Sequence, residues 1–367
     1  MSTVLPSILV LGGVGFIGRH LVHFLVQNNV AGYIRVADKR HYQMAYLPED
    51  MIASFKNDKV SFVQADLAKE TGIEKAFGDQ QYDYVVNLCG ETRCSMSEQE
   101  YTDKIVKPAG LGTAKAQATG VRRWIEVSTA HVYQSDKAAA SESSPVSAWT
   151  RIGINRAQAE QVVRDSGVPS VILRPAIVYG PGDLSGLTPR LACAAVYQKK
   201  GEKMKFLWNK DLRINSVHVA DVVRAIVHCA TSSNVSEGAV YNLVDKTDLT
   251  QGKVADMLAV LFGIKTGFMG KMLSAAAAKL SLDSVAEMSN DKHVPPFAEL
   301  CREHNVLNTP VTPYIDKELL LNNHLSADGT AIESTGFTYE VPQCTVESLK
   351  PVVTSFIQQG LFPPVVQ

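Results

Sequence analysis

The sequence predicts an α/β fold, in which a doubly wound parallel sheet is followed by a smaller α/β domain. Short apolar runs alternate with helical stretches from residue 8 to residue 175, a pattern typical of β-α-β units. A glycine-rich turn follows the first apolar run, and after about residue 182 loops lengthen and strands become rarer. We therefore expect one domain over residues 1–182, with return segments near 213–245, and a second over residues 183–367.

Each predicted strand is a short apolar run that suits a buried parallel position. Strands are predicted at residues 8–11, 33–37, 60–64, 84–88, 123–127, 171–173 and 240–243. Helices are predicted at residues 16–27, 104–118, 155–165 and 222–229. Because crossovers between parallel strands are right-handed, these elements predict helices on both faces of one sheet.

The composition is that of an ordinary globular protein. Hydrophobic residues make up 46% and charged residues 20% of the 367 residues, and the formal net charge is −1. A nearly neutral chain has no overall field that would draw it to nucleic acid or to anionic lipid. Its six irregularly spaced cysteines favour reduced thiols and a cytoplasmic location. No apolar run is long enough to span a bilayer, and the first strand begins too early to leave room for a signal peptide.

The C-terminal part is predicted to be helical and rich in loops. Residues 258–282 contain many Ala and Leu but also three lysines, which indicates an amphipathic helix that is at most interfacial. Asp221 is expected to cap the helix that begins after it. Four prolines are expected to break helices: Pro295, Pro296, Pro310 and Pro313.

Gly12, Gly15 and Gly18 form a turn between the first strand and the first helix, as in dinucleotide-binding Rossmann domains. The first glycine permits the tight turn, the second lets a pyrophosphate approach, and the third lets the helix pack close to the sheet. Free N–H groups at the helix N-terminus then favour a negatively charged ligand. Asp38 ends the next strand, twenty residues after Gly18, where a carboxylate accepts both ribose hydroxyls of NAD.

Two neighbouring features bear on the choice of cofactor. Lys39 and Arg40 would attract a 2′-phosphate if either side chain turned inward, so NADP stays open beside NAD. Asp66, followed by Leu67, closes the third strand and is placed to accept the adenine amino group, although a loop-capping role fits this aspartate equally well.

Several motifs together resemble the extended short-chain dehydrogenase/reductase family, in its NAD-dependent epimerase/dehydratase branch. The similar segments are residues 12–18, 87–90, 126–133, 174–183, 215–222 and 239–243. The resemblance covers roughly residues 8–265 and implies a Rossmann fold that binds NAD. It places the following residues at the cofactor: Gly12, Gly15, Phe16, Ile17, Gly18, Asp38, Asp66, Leu67, Arg156 and Pro175.

The resemblance also implies a catalytic Ser or Thr, a Tyr that moves the proton, and a Lys four residues later. Thr129 occupies the Ser/Thr position. Positions four apart share a helix face, so the Lys charge lowers the pKa of the Tyr. In this chain, however, the Tyr position is Ile152 and the Lys position is Arg156. Isoleucine transfers no proton, whereas Arg156 still offers donors to the nicotinamide ribose.

Other residues are candidates for the missing chemistry. His131 follows Thr129 by two positions, on the same strand face, and a histidine titrates in the range that acid/base catalysis needs. Tyr133 and Lys137 have the required spacing, although the resemblance assigns Tyr133 to the strand end. Weaker candidates are Tyr179 near the nicotinamide, Glu91 and Arg93 at the cleft mouth, and Arg213 for a substrate diphosphate.

Three functions follow. The first is an NAD-binding protein whose standard chemistry is altered or lost, and the second is an active epimerase, dehydratase or oxidoreductase that uses Thr129 and His131 on a sugar nucleotide or another alcohol or ketone. The third is a non-catalytic subunit or interaction protein. Expected partners are the dinucleotide, a small-molecule substrate and a second copy or a protein complex. No metal is expected, because His20 and His23 have no third ligand near them in the sequence.

Overall fold

The computed structural model describes residues 5–366, which contain eleven strands. They are β1 (Ser7–Leu11), β2 (Tyr33–Asp38), β3 (Val60–Gln64), β4 (Tyr84–Asn87), β5 (Arg123–Val127), β6 (Ser170–Pro175), β7 (Ile177–Tyr179), β8 (Met204–Phe206), β9 (Ser216–His218), β10 (Val240–Leu243) and β11 (Thr266–Phe268). Seven of them form one parallel sheet in the order β10-β6-β5-β4-β1-β2-β3. Two short parallel pairs, β7 with β9 and β8 with β11, lie outside this sheet.

Twelve α-helices are described over the same residues. They are α1 (Phe16–Gln27), α2 (Glu49–Phe55), α3 (Glu70–Phe77), α4 (Glu98–Tyr101), α5 (Lys107–Ala118), α6 (Arg151–Asp165), α7 (Thr188–Lys200), α8 (Val219–Thr231), α9 (Gln251–Phe262), α10 (Lys271–Leu280), α11 (Leu282–Glu303) and α12 (Val346–Gln358). A π-helical turn (Thr102–Val106) joins α4 to α5, and 3₁₀ turns include Ala130–Val132, Lys317–Leu320 and Ala331–Thr335.

The predicted doubly wound sheet is confirmed, and alternation along its strands explains the two layers. In β1, Ile8 and Val10 pack toward α1, α2 and α8, whereas Leu9 and Leu11 pack toward α3, α5 and α6. Both faces are covered, so nearly every residue of β1 is buried. The strand order reverses at β1, which lies between β2 and β4. Ligands of such sheets bind at this reversal, beyond the carboxyl ends of the strands.

The C-terminal region has a core of its own. Helices α7, α9, α11 and α12 contribute buried side chains such as Leu191, Leu258, Phe297 and Val352. The chain then touches the first layer again, because Ile332 and Phe337 are buried in the cluster that contains α1 and α8. Residues 331–339 therefore return to the sheet in addition to the predicted segments near 213–245; the division at residue 182 stays a prediction.

Three local expectations are wrong. Residues 258–282 do not form one helix, because α9 ends at Gly263 in the left-handed conformation (φ 62°) and β11 intervenes before α10. Pro295 and Pro296 lie inside α11, where Phe297 and Leu300 pack in the C-terminal core and stabilise the helix despite the lost backbone hydrogen bonds.

Asp221 does not precede a helix either. It lies in the first turn of α8, which is capped by His218, whose Nδ1 accepts from the N–H of Ala220 at 3.3 Å. The Asp221 carboxylate instead accepts from the backbone N–H groups of Glu340 and Val341, at 2.6 and 2.9 Å. It thus fastens the returning segment, a contact between residues too distant in sequence to be predicted from spacing.

Two further observations concern cysteines and membranes. All six cysteines are free thiols. Among residues 5–366, no helix combines the length and the apolar character that crossing a bilayer requires.

We expect Ile332→Ala to lower the free energy of unfolding by about 2–5 kcal/mol, because the side chain is fully buried in the sheet cluster. Urea denaturation would measure the loss. Leu307→Ala is the matched control: Leu307 is 86% exposed, so its removal should change stability by no more than about 0.5 kcal/mol. Equal, small effects of both substitutions would show that residues 331–339 do not dock on the sheet.

Candidate functional site

The glycine turn is held against the ends of two strands. Gly12 has φ 76°, and its N–H donates to the carbonyl of Ala37 at 2.8 Å. A Cβ on Gly12 would lie 2.9 Å from the backbone of Leu88 and Cys89, and one on Gly18 would lie 2.6 Å from Gly13. Neither position accepts a larger residue, because the backbones already touch.

Gly15 differs from the other two glycines. Its φ is −62°, which any residue adopts, and a Cβ there would meet only the carbonyl oxygen of Gly12 at 3.3 Å. A Cβ at position 15 would need a shift of a few tenths of an ångström, so packing restricts this position less than positions 12 and 18. Gly15 is the N-cap of α1, and no side chain caps this helix. The space before Gly15 and the N–H groups of Phe16 and Ile17 thus fit a pyrophosphate.

Asp38 ends β2 beside this turn. Its Oδ2 accepts from the N–H of Val14 and its Oδ1 from the N–H of Arg40, both at 2.9 Å. Burial raises the pKa of Asp38, and these backbone donors act in the opposite direction. Each oxygen keeps a second lone pair, so the carboxylate is fixed in place yet still able to accept ribose hydroxyls.

The third strand ends next to Asp38, because the N–H of Ala65 donates to the Asp38 carbonyl at 2.9 Å. Asp66 follows it and lies 3.4 Å from the Lys69 ammonium and 3.9 Å from that of Lys39. The Leu67 side chain is buried. These residues and the glycine turn lie at one edge of the sheet, as the sequence predicts.

Thr129 and His131 are in contact, but not as strand neighbours. Thr129 precedes the 3₁₀ turn Ala130–Val132, and its Oγ1 lies 3.1 Å from His131 Nδ1. The expectation that both lie on one strand face is wrong, since β5 ends at Val127 and the turn makes the contact. The imidazole packs edge-on against Trp149 at 5.7 Å, and burial lowers the pKa of His131 to about 4. His131 is therefore neutral at pH 7.

Arg156, one turn after Ile152 on α6, points at the loop that follows β4. A Cβ on Gly90 would lie 2.1 Å from Arg156 Nη2, so the guanidinium occupies the space that a side chain at position 90 would need. Its Nη1 is buried without a hydrogen-bond partner in the described part of the chain. The Ile152 side chain packs against the core beneath α6.

The Glu126 carboxylate is the acid that faces the Arg156 guanidinium. Glu126 was not assigned a role from the sequence. Glu126 Oε1 lies 3.9 Å from Arg156 Nη1. The carboxylate is fully buried in β5 and accepts from Asn87 Nδ2 at 2.8 Å and from Trp124 Nε1 at 2.9 Å. Burial raises the pKa of Glu126 to about 7, against the effect of Arg156. A glutamate inside an apolar strand was the signal that could have found it.

A second buried acid, Glu160, belongs to a structural network. It accepts from Arg174 at 2.6 and 2.9 Å and from Ser128 Oγ at 2.6 Å. Arg174 also donates to the Tyr133 hydroxyl, which donates to Asn242 Oδ1, both at 2.7 Å. Tyr133 is thus a buried hydrogen-bonding residue.

The remaining candidates have the following positions and contacts. Lys137 is exposed, so the structure does not pair it with Tyr133. Burial opposes ionisation of Glu91, but Arg93 and Lys104 outweigh it and lower the pKa to about 2, which makes Glu91 a poor base. Tyr179 contacts Ser348 and Arg213 pairs with Asp248 at 3.2 Å. Pro175 ends β6 at the carboxyl edge of the sheet, paired with Leu243.

The sequence is similar to known enzymes. The NAD dependent epimerase/dehydratase family matches residues 8–243. Sterol-4-alpha-carboxylate 3-dehydrogenase (decarboxylating) of Candida albicans is 29% identical over 63% of this chain and 66% of its own length. The dTDP-D-glucose 4,6-dehydratase of Mus musculus is 26% identical, over 69% and 72%. This chain therefore spans just under two thirds of the fungal enzyme.

A solved structure has the same fold. The dTDP-glucose 4,6-dehydratase of Streptomyces venezuelae, with NAD bound, superposes with a TM-score of 0.71 at 19% identity. The match covers 98% of this chain and 99% of that one. At this identity the likeness establishes the fold alone.

We expect Gly90→Ala to lower the free energy of unfolding by about 1–3 kcal/mol, because its Cβ would overlap the Arg156 guanidinium. In an Arg156→Lys background the cost should shrink, since lysine has no Nη2. A double-mutant cycle by urea denaturation measures the coupling, which should exceed about 0.5 kcal/mol.

Gly15→Ala is the control at a glycine whose Cβ would meet the carbonyl oxygen of Gly12 and not Arg156, and its effect on stability should be the same in both backgrounds. Additive effects at positions 90 and 156 would contradict the contact between them.

Proposed function

The chain belongs to the NAD-dependent epimerase/dehydratase family, and we propose that it binds NAD while the tyrosine-based proton transfer is altered or lost. The family match confirms NAD as the predicted cofactor. One observation carries the proposal: at the tyrosine position Ile152 packs into the core, and at the lysine position Arg156 is directed to Gly90 and Glu126.

The shape of the glycine turn and the free N–H groups that follow it support dinucleotide binding. In our proposal Phe16 and Ile17 donate their backbone N–H groups to the pyrophosphate, and Asp38 accepts the ribose hydroxyls. Asp66 and Leu67 border the adenine, and Arg156 and Pro175 lie toward the nicotinamide. Bound there, NAD supplies the hydride acceptor of the family's chemistry.

The same carboxylate argues for NAD over NADP. Asp38 is held beside the glycine turn by two backbone donors, so its negative charge would face a 2′-phosphate. Lys39 lies near Asp66, which offsets its charge. Arg40, the other cation that could attract a 2′-phosphate, lines a neighbouring cavity of about 230 Å³ together with Arg19, Tyr46 and Phe356.

The residues at the catalytic positions support altered chemistry. Isoleucine carries no proton, and a guanidinium stays charged at any physiological pH. Arg156 therefore keeps the ability to donate hydrogen bonds to a ribose, but it has no phenol whose pKa it could lower. Arg156 therefore keeps a role in positioning the ribose, but the chain has no residue at the position of the family's proton carrier that could transfer a proton.

A second function is favoured by the 3.1 Å contact between Thr129 and His131. A neutral imidazole beside a hydroxyl can accept a proton, and the hydroxyl would position a substrate oxygen. The substrate would be a sugar nucleotide or another alcohol or ketone, and the chain would be an active epimerase, dehydratase or oxidoreductase.

The third hypothesis is a non-catalytic subunit or interaction protein. It includes the same dinucleotide site as the first hypothesis, an NAD-binding protein whose chemistry is altered or lost. Self-association or assembly with another protein, and a cytoplasmic location, stay predictions.

NADH titration, followed by nucleotide fluorescence, tests the binding site. We expect the protein to bind NADH more tightly than NADPH, and Asp38→Ala to weaken NADH binding by about tenfold or more, as for the loss of a charged hydrogen-bonding group. Gly15→Asp should do the same by placing charge in the pyrophosphate space. Failure of the unsubstituted protein to bind either nucleotide would refute the proposal.

Turnover on a panel of sugar nucleotides, alcohols and ketones separates the first two functions. We expect neither net NADH formation from an alcohol nor conversion of a sugar nucleotide to an epimer or a dehydrated product, because position 152 has no proton carrier. If turnover is found, His131→Ala should abolish it while NADH binding persists, and the rate should fall only when the pH drops toward about 4, where His131 gains its proton. Thr129→Val is the companion variant, and activity that survives in both would exclude the Thr129–His131 pair.

A further inference from the structure

An unusual surface lies where α10 follows the β8–β11 pair. Met272 is 87% exposed and Leu273 is 62% exposed, and Met269 immediately before them is 38% exposed. Isolated apolar residues on a surface need no explanation, but these three are consecutive or nearly so and project from one end of a short helix. We call this group the apolar tip.

Lysines surround the apolar tip. Residues 203–210 and 263–282 contain six lysines and no Asp or Glu: Lys203, Lys205, Lys210, Lys265, Lys271 and Lys279. In the part of the chain that the structure describes, none of the six forms an ion pair. Three acids border these ranges: Glu202 is paired with Lys200 and Lys292, Asp283 is paired with Lys317, and Asp211 is exposed. A chain with a net charge of −1 thus has a locally basic region here.

Three of these lysines lie on or beside the elements that lead to the tip or carry it. In the β8–β11 pair, Lys205 lies opposite Gly267, and the Lys203 side chain crosses β11, since its Cε lies 2.5 Å from where a Cβ on Gly267 would be. Gly270, directly before α10, bonds to the carbonyl of Trp208 at 2.8 Å. On α10, Met272 and Lys279 are seven residues apart and both exposed, so they share one side of the helix.

We propose that the apolar tip and its lysines attach this protein peripherally to an anionic lipid surface. Protruding Met and Leu side chains enter the boundary between headgroups and acyl chains, and lysines beside them contact the anionic headgroups. The apolar stem of a lysine can lie beside the Met and Leu side chains while its ammonium group extends to the headgroups, so the lysines and the apolar residues can contact the same lipid surface together.

The charge pattern favours a lipid surface over a second copy of the chain. A two-fold contact through this face would bring the six lysines of one copy against the same lysines of the other, and of the three bordering acids Glu202 and Asp283 already have other lysine partners, which leaves a net positive face. The side chains also project rather than line a groove, so the tip matches a soft, flat surface. The proposal is independent of whether the protein is catalytic.

Cosedimentation of the full chain with vesicles tests it. The vesicles contain phosphatidylcholine alone or phosphatidylcholine with phosphatidylserine, each at low and high salt. We expect binding only to the vesicles with phosphatidylserine, and loss of binding at high salt, which screens the lysines. M272E/L273E should weaken binding by roughly tenfold or more, because it removes apolar contact and adds negative charge. K271Q/K279Q should weaken it through charge alone.

L307E is the matched control, since Leu307 is equally exposed but lies outside the tip, and it should bind as the unsubstituted protein does. Thermal unfolding of each variant shows that it is folded, and surface substitutions of this kind should leave the midpoint unchanged. Absence of binding by the unsubstituted protein, or equal weakening by L307E, would overturn the proposal. So would a dimer in light scattering that M272E/L273E dissociates, because the occupant would then be a second copy.

Discussion

The close approach of the glycine turn to β4 is the constraint on which the site depends. Because Gly12 has no Cβ, its backbone lies against Leu88 and Cys89, and this contact sets the course of the loop after β4. Gly90 is the next residue of that loop, and the Arg156 guanidinium lies directly on it. Arg156 then faces Glu126 in β5. One backbone contact at the glycine turn is thus linked to α6, which carries Ile152 and Arg156, and to β5, which carries Glu126.

The two buried acids, Glu160 and Glu126, differ in how completely their hydrogen-bonding and ionic partners compensate the loss of water. Glu160 has Arg174, Ser128 and Arg164 as partners at 2.6–2.9 Å, so a fixed network compensates its desolvation. Glu126 and Arg156 are 3.9 Å apart, and one guanidinium nitrogen has no partner among the described residues. A buried donor left unpaired costs about 1–3 kcal/mol, and proteins keep such costs mainly at functional sites. The pair with the longer separation is Glu126–Arg156, which lies beside Gly90 and the glycine turn.

The fold does not decide which chemistry takes place. The relatives that this chain is similar to are named as a dehydrogenase and as a dehydratase, so function must be argued from side chains. In our proposal the glycine turn and Asp38 hold the dinucleotide, whereas the family's proton-carrying position is occupied by Ile152. The Thr129–His131 contact is the arrangement proposed as a substitute, and it exists because a 3₁₀ turn brings two side chains together.

Local sequence determined the seven strands of the parallel sheet and the glycine turn, because strand periodicity and turn geometry depend on residues close together in the chain. It also located α1 and β5 to the residue. It missed the short pairs β7–β9 and β8–β11, whose three-residue strands carry too little periodicity. Tertiary structure alone decided that Glu126 faces Arg156, that Gly90 makes room for it, that Asp221 holds residues 340 and 341, and that Ile332 is buried against the sheet. The physical reason is that each of these contacts joins segments tens of residues apart, whose meeting depends on the packing of the whole sheet, and no spacing rule describes it.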